Sequence, residues 1–460
     1  MTISVKDKFT GDTLEQLVET SNDQVKDVID RAKYSFSKMS SMKAYERYDF
    51  LKNASDMIRS KRDELSKLLT RESGKPIKYS SKEVDRASFV LFASAEEGKR
   101  IEGETVPMDV EPRGGDRFAF FYRVPIGPVL SITPFNDPLN LVAHKVGPAL
   151  AAGNSIVNKP TTISPLSSLK LSEILNDSGM PEHAFQNIIT SGNSQVMKSF
   201  LSSDEFKKIT FTGGFDAASK MVREAGVKKY FMELGSNSPV IISQYSRWED
   251  HIDSIVDAAF ESQGQNCIHS QRVLIQDKIY SQVAERIIKR SSRLKVGNPL
   301  DHDTDIGPMI SEGEARRVEK SVGDAVSHGA KVLLGNRREG STFFPTILED
   351  VSTEEEIWKN EIFGPVTILC GYSTMDEAIN LANGVNFGLQ AGIISDDYNE
   401  LMKAVGKLQY GTVLVNDTSD FRIDTMPFGG VKKSGIGREG IKYAIEEMTE
   451  IKLVILKKEY

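Results

Sequence analysis

Near the start of the chain, apolar residues recur at helical spacing. In "NDQVKDVIDRAKYSFSKM" they fall at Val25, Val28, Ile29 and Ala32, behind Asn22 and Asp23 as capping candidates, which predicts a helix. "AYERYDFLKNASDMIRSKRDELSKLL" continues the pattern, so residues 22–70 read as helices. A stretch rich in Gly, Pro and charge at 102–116 ends in "EPRGGDR", and "FAFFYRVPIGPVLSITP" then reads as strands broken by Pro and Gly. From 128 to 232 strand and helix patterns alternate. "PVLSIT", "NSIVNKP", "AFQNIIT" and "FKKITFTGG" read as strands. "PLNLVAHKVGPALAAG", "SPLSSLKLSEILNDSG", "SQVMKSFLSS" and "DAASKMVREAG" read as the helices between and after them. Such alternation predicts a parallel α/β sheet, which binds ligands at the carboxyl ends of its strands.

A second alternating run starts at "SPVIIS" and predicts another α/β domain. It holds the helices "WEDHIDSIVDAAFESQG" and "YSQVAERIIKRSSRLK" and the strands "SQRVLIQ", "AKVLLG", "PVTILCGY", "AGIIS" and "GTVLVN". The tail "EIKLVILKK" reads as an apolar terminal strand, which needs an edge to pair with, in this chain or in another subunit.

Composition narrows the class. The 460 residues are 39% hydrophobic and 27% charged with 35 glycines, an ordinary globular mixture that excludes disorder and fibrous repeats. The net charge of −7 and the lack of a long basic run argue against nucleic-acid or anionic-membrane partners. No apolar leader or membrane-length run is seen, so a cytoplasmic protein is expected. Two cysteines make no disulfide framework, and six scattered histidines give no ligand pair, so no metal site is expected.

Candidate chemistry lies at the strand ends. Asn136 in "ITPFNDP" is placed to cap a helix or to donate to an oxyanion. Lys159 in "IVNKPTT" is a solvated lysine or a donor to phosphate or ribose. The glycines of "FTGG" let backbone amides approach a phosphate. Glu233 in "FMELGSNSP" is a costly buried carboxylate or a tuned base. Cys267 in "GQNCIHSQR" reads as a buried thiol or a nucleophile, with His269 as an obvious neighbour for a thiol hydrolase dyad. Cys370, in "VTILC", reads as core. "GIGREG" at 435–440 matches a dinucleotide glycine pattern, but "VKKS" precedes it and only 20 residues follow, so it reads as a tight loop.

Taken in order, "TPFNDP", "NKPTTISP", "FTGG", "MELGSNSP", "GQNC", "NEIFGPV" and "PFGGVKKSGIGREG" resemble the aldehyde dehydrogenase superfamily over essentially the whole chain. Glu233 and Cys267 stand 34 residues apart, as in that family. The resemblance implies an α/β fold of three parts. A parallel-sheet nicotinamide-binding domain would span 1–111 and 132–234, and an α/β catalytic domain 235–430. A small β bridging element, a hairpin at 112–131 with the strand at 448–460, would pair across subunits in a homodimer or homotetramer.

It also implies roles. Cys267 would be the nucleophile, Asn136 an oxyanion donor and Glu233 the base for thioester hydrolysis. Lys159 and Glu361 would hold the riboses, Phe363 would pack near the nicotinamide ribose, and Gly213 would approach the pyrophosphate. Pro134, Phe135, Thr212, Gly214 and Leu234 would complete the cofactor wall.

Departures from the family pattern refine this. Thr162 stands where the family often has an acid that repels a 2′-phosphate, so NADP is favoured, with NAD possible. Asn140, His144, Arg422, Asp424 and Phe428 are expected around a polar substrate pocket, with Asn140 and His144 on one helix face with Asn136. Arg422 is the one cation in view there, which favours D-glyceraldehyde over lactaldehyde, glyceraldehyde 3-phosphate and succinate semialdehyde. An inactive binding relative would need loss of Cys267, Glu233 or Asn136, and all three are present.

Overall fold

The computed structural model describes residues 2–192 and 194–457. A hairpin, β1 (Thr2–Lys6) and β2 (Thr13–Val18), opens the chain. Four helices follow: α1 (Asn22–Ser41), α2 (Ala44–Ser60), α3 (Arg62–Ser73) and α4 (Ile77–Gly98). Next come β3 (Glu104–Val106) and β4 (Arg117–Pro125). The alternating segment then folds as β5 (Val129–Ile132), α5 (Asn140–Ala151), β6 (Ile156–Lys159), α6 (Leu166–Asp177) and β7 (Phe185–Asn187). It ends with α7 (Gln195–Ser202), β8 (Lys208–Thr212), α8 (Phe215–Ala225) and β9 (Lys229–Glu233).

β7, β6, β5, β8 and β9 pair in parallel, in that spatial order, as the periodicity predicts. Gly435–Ile436 adds a short antiparallel strand beyond β9. All twelve residues of α5 are buried, Asn140, His144 and Lys145 included, because the helix packs against α4 and the last helix, Ile441–Glu447.

The second run gives β10 (Ser238–Ile242), α9 (Ile252–Phe260), β11 (Ser270–Gln276), α10 (Tyr280–Ser291), α11 (Glu312–Ser327) and β12 (Lys331–Leu334). Its seven-stranded sheet runs β12, Thr346–Glu349, Val366–Tyr372, β11, β10, Gln390–Ile394, Thr412–Val415. Only β12 is antiparallel to its neighbour. The central strands are buried on both faces, as continuous Val/Ile/Leu runs require.

The hairpin expected at 112–131 lies earlier in the chain, formed by β3 and β4. β4 pairs along its length with Thr449–Lys457 and, on its other side, with β3, while β5 belongs to the parallel sheet. Pro125, Gly127 (φ +128°) and Pro128 carry the chain from one sheet into the other, so it cannot turn back on itself there. Residues 458–460 of the expected terminal strand lie outside the described residues. Among the described residues, no helix is long and apolar enough to cross a membrane.

Candidate active site

The parallel sheet ends where β5, β8 and β9 deliver Pro134–Asn136, Thr212–Gly214 and Glu233–Leu234 to one cavity of about 620 Å³. Cys267, Glu361 and Phe363 close it from the second sheet's side. Gly214 caps α8, and a Cβ built on it meets nothing within 4 Å, so the backbone is open to a close-lying phosphate. Gly213 is glycine for another reason, since a Cβ there would meet the Phe211 ring at 2.8 Å. Glu361 accepts the Ser236 amide at 2.9 Å, and burial pushes its carboxyl up to about 7. Phe363 meets Phe135 edge-on at 5.7 Å. Lys159 ends β6 beside Ile132, and burial lowers its ammonium below the usual range. Lys159 makes no ion pair among the described residues, and Thr162 follows in the bend after it. Both stand at the strand end, off the wall of the large cavity.

Cys267 sits on a loop with a strained approach. Ser262, Gln263 and Gly264 take φ of 52°, 58° and 64° in succession, a left-handed run. The run is held because Gln263 Nε2 donates to the carbonyls of Gly74 and Pro308, each at 2.8 Å. Gln265 accepts the Ile310 amide at 3.0 Å. Burial, then Glu361, push the thiol well above its ordinary range, and Arg422 is the cation that opposes them. His269 turns elsewhere. Its ring bonds the Val366 carbonyl at 3.0 Å, and burial lowers it to about 4, so it is no partner for Cys267. Cys370 is half-buried, in the strand paired with β11.

Glu233 is 4% exposed, and neither carboxylate oxygen has a hydrogen-bond partner. Burial raises it well above the carboxylate range, and the neighbouring Glu439 adds to the rise. Glu439 comes from "GIGREG". That motif forms the edge strand and a tight loop, with Gly437 and Gly440 at φ +87° and +104°.

A second cavity of about 190 Å³ also reaches Cys267. The two cavities share Asn136, Leu141, Cys267, Arg422 and Phe428. Asn136 lies in a bend four residues before α5, so it is not on the helix face expected of it. The substrate expectations divide. Arg422 and Phe428 line both cavities, and the guanidinium lies 3.9 Å over the ring. Asn140, His144 and Asp424 are corrections, because they are buried and line neither cavity. Asn140 points inward at the first turn of α5, where Glu83 of α4 accepts the amides of Leu139 and Asn140 at 2.8 and 3.1 Å.

The residues missed in sequence are on α4 and in the late loops. Tyr79, Lys82 and Arg86 share one face of α4 and line the outer cavity with Lys75, Asp137 and Asp420. Arg86 Nη2 bonds Asp424 at 2.8 Å, and Lys75 bonds Glu83 at 2.7 Å and also Asp137. Lys82 makes no ion pair among the described residues. Asn266 donates to Asp420 at 2.5 Å beside the thiol. The i, i+3, i+7 stripe was visible in the sequence, but nothing there says which cavity it faces.

A sheet-end cleft with an open helix start, met at a cysteine by a second cleft, is the architecture of a dinucleotide-dependent oxidoreductase. Residues 1–454 match the aldehyde dehydrogenase family profile, and the chain belongs to that family. It is 40% identical over 454 residues to 3-sulfolactaldehyde dehydrogenase of Priestia megaterium, covering 99% of this chain and 94% of that one. It is 39% identical to lactaldehyde dehydrogenase of Methanococcus aeolicus, covering 99% and 97%. Among solved structures, aldehyde dehydrogenase 21 from Physcomitrella patens, in complex with the product succinate, superposes with TM-score 0.97 at 39% identity, covering 100% and 95%. A glyceraldehyde-3-phosphate dehydrogenase from Methanocaldococcus jannaschii complexed with NADP gives 0.95 at 36%, covering 99% of each.

Proposed function

We propose that the chain oxidises a short 2-hydroxyaldehyde bearing an anionic group, yielding the free acid, with NADP as cofactor. The observation that carries the substrate reading is the cation set of the outer cavity. Lys82, which makes no ion pair among the described residues, stands there with Arg86 and Arg422, so an anion finds one unengaged cation beside the remaining N–H groups of two arginines already paired with Asp424 and Glu439. The preference for neutral glyceraldehyde rested on Arg422 alone. It stays as the second reading, because Asp137 and Asp420 offer acceptors for hydroxyls in the same space. The names of the relatives, sulfolactaldehyde, lactaldehyde and glyceraldehyde 3-phosphate, agree with this size of substrate.

The large cavity fits a nicotinamide dinucleotide. Gly214 and the start of α8 suit the pyrophosphate and Glu361 a ribose, while Lys159 and Thr162, beyond the cavity wall at the end of β6, suit the other ribose and its 2′-phosphate. When bound, that group supplies a hydride acceptor. The protein's own residues do the rest. As its proton passes by way of Glu233 to solvent, the Cys267 sulfur bonds the aldehyde carbon, and the Asn136 amide with the Cys267 backbone N–H holds the oxygen, a donor pair of which each member contributes about 3 kcal/mol. Once the aldehyde hydrogen has left as hydride, Cys267 carries the acyl group as a thioester. Glu233, free of hydrogen-bond partners and in the same cavity, takes a proton from the water that releases the acid.

We also assign the outer edge of Thr449–Lys457 to a second copy of the chain. Ile451, Leu453, Ile455 and Leu456 are all about half exposed on that edge strand, a long apolar edge that proteins do not leave bare.

The test is absorbance at 340 nm with NADP or NAD and a panel of D-glyceraldehyde, lactaldehyde, 3-sulfolactaldehyde, glyceraldehyde 3-phosphate and succinate semialdehyde. The anionic hydroxyaldehydes should give the highest kcat/KM, and Lys82→Met should raise their KM roughly tenfold, the equivalent of about 1.4 kcal/mol, without changing that for glyceraldehyde. Cys267→Ala should abolish turnover and keep NADP binding. A higher kcat/KM for glyceraldehyde than for every anionic aldehyde would reverse the substrate reading.

A further inference from the structure

Asn136 lines both cavities together with Cys267, yet no side-chain hydrogen bond holds its amide among the described residues. The aim of that amide is therefore set by the backbone that carries it. The backbone is the connection 133–139, hung between the end of β5 and the start of α5. At the β5 end the Thr133 amide donates to the Lys159 carbonyl at 3.1 Å, which continues the pairing of β5 with β6.

The α5 end has no cap of its own. Leu139 occupies the position where Ser, Thr, Asp or Asn would supply a side-chain acceptor. Glu83 of α4 supplies it from outside. Its Oε1 accepts the amides of Leu139 and Asn140 at 2.8 and 3.1 Å, and its Oε2 accepts Lys75 Nζ at 2.7 Å. Glu83 is 2% exposed with both oxygens engaged, so it is a fastening and not a group for substrate. Lys75 also bonds one oxygen of Asp137, the residue after Asn136, and Arg86 Nη1 reaches the other at 3.3 Å. Pro138, between these ties, has its φ fixed by its ring.

Resting on Asn136 as an oxyanion donor, we propose that Glu83 is a positioning residue for the first half of the reaction: by fixing Leu139 and Asn140 to α4, it aims the Asn136 amide at the aldehyde oxygen. In that half the Cys267 sulfur bonds the carbonyl carbon, the C–O electron pair moves onto the oxygen, and Asn136 Nδ2 donates to it. A donor already in place costs no reorganisation as the charge develops. A misplacement of about 1 Å costs about a hundredfold in rate. Glu83 lines the outer cavity and not the large one, so its effect falls on the aldehyde side. α4 also carries Lys82 and Arg86, so the helix proposed to meet the substrate's charge also fixes the donor for its carbonyl oxygen.

The experiment is a double-mutant cycle on the full-length chain, with Glu83→Met, Asn136→Ala and the pair. Each is rapidly mixed with saturating NADP and whichever hydroxyaldehyde the wild type oxidises, and the first-turnover burst of NADPH is read at 340 nm. Glu83→Met should slow the burst about tenfold or more when Asn136 is present. It should slow it by less than about twofold once Asn136 is alanine, because an absent amide cannot be misaimed. NADP affinity, from fluorescence titration, should match wild type in the Glu83 variants, and the same titration counts folded sites. Glu83→Asp keeps the charge beside Lys75 but falls short of the two amides. It should behave as Glu83→Met does, and it stands in if Glu83→Met fails to fold. A wild-type burst rate in the Glu83 variants, or an equal fold loss with and without Asn136, would overturn the inference. A wild-type burst rate in Asn136→Ala alone removes the donor and the inference together, whereas a slow Asn136→Ala beside fast Glu83 variants removes the inference alone.

Discussion

Gly264 lies so close to Gly364 that a Cβ on it would sit 2.1 Å from the Gly364 carbonyl oxygen. With φ at +64°, the position excludes any side chain twice over, by contact and by backbone. Gly264→Ala should therefore destabilise the fold by about 3 kcal/mol and displace the Cys267 loop. Urea unfolding measures the first, and the loss of the NADPH burst measures the second. A stability within about 0.5 kcal/mol of wild type would show that the loop can yield.

With Glu361 on a ribose, as proposed, cofactor binding gains a pH dependence. Burial raises its carboxyl to about 7, so near neutrality it is partly protonated. A ribose hydroxyl that donates to the carboxylate favours the charged form, so binding expels a proton. Dinucleotide affinity should thus rise with pH through the region around 7 and level off above it. Fluorescence titration of NADP from pH 6 to 8 checks the sign. Glu361→Gln should weaken binding and flatten the profile. An affinity that falls as pH rises contradicts the assignment.

In stability the same group has the opposite slope. Its folded value lies above its unfolded value of 4.5, so the folded state holds the extra proton. The stability this gives is present below the unfolded value and is lost as pH rises through about 7. Without cofactor, wild-type Tm should decline across that window more than that of Glu361→Gln.

On the proposed cofactor placement, Thr162 decides between the two dinucleotides. Thr162→Glu should repel a 2′-phosphate and bind the bare ribose, moving the NADP-to-NAD ratio of kcat/KM by about a hundredfold towards NAD. An unchanged ratio would place the phosphate elsewhere.

Much of this was legible in the chain. Strand ends are local, so Asn136, Lys159, Thr212–Gly214 and Glu233 could be put on the binding edge of a parallel sheet from periodicity alone, and the sheet places them there. What periodicity cannot say is which helix covers the second cleft. Lys82 and Arg86 lie some 180 residues before Cys267, and only tertiary packing brings α4 to the thiol. His144 shows the converse error. Its polarity suggested a pocket wall, yet α5 is enclosed on all sides, so the ring had to find carboxylates in place of solvent. Glu439 was hidden inside a glycine motif rightly set aside as a phosphate loop, because a loop rejected for one purpose was not asked for another. The expected hairpin sits earlier than 112–131 for a local reason, because Pro125, Gly127 and Pro128 carry the chain after β4 into the parallel sheet.

The two cavities share Asn136, Leu141, Cys267, Arg422 and Phe428, and otherwise have walls of their own, α4 for one and the sheet end for the other. With the proposed occupants in place, the acid and the dinucleotide have separate walls, so the acid can leave while the dinucleotide stays. Inhibition patterns should carry that mark, with the acid product competing against the aldehyde and indifferent to the concentration of dinucleotide.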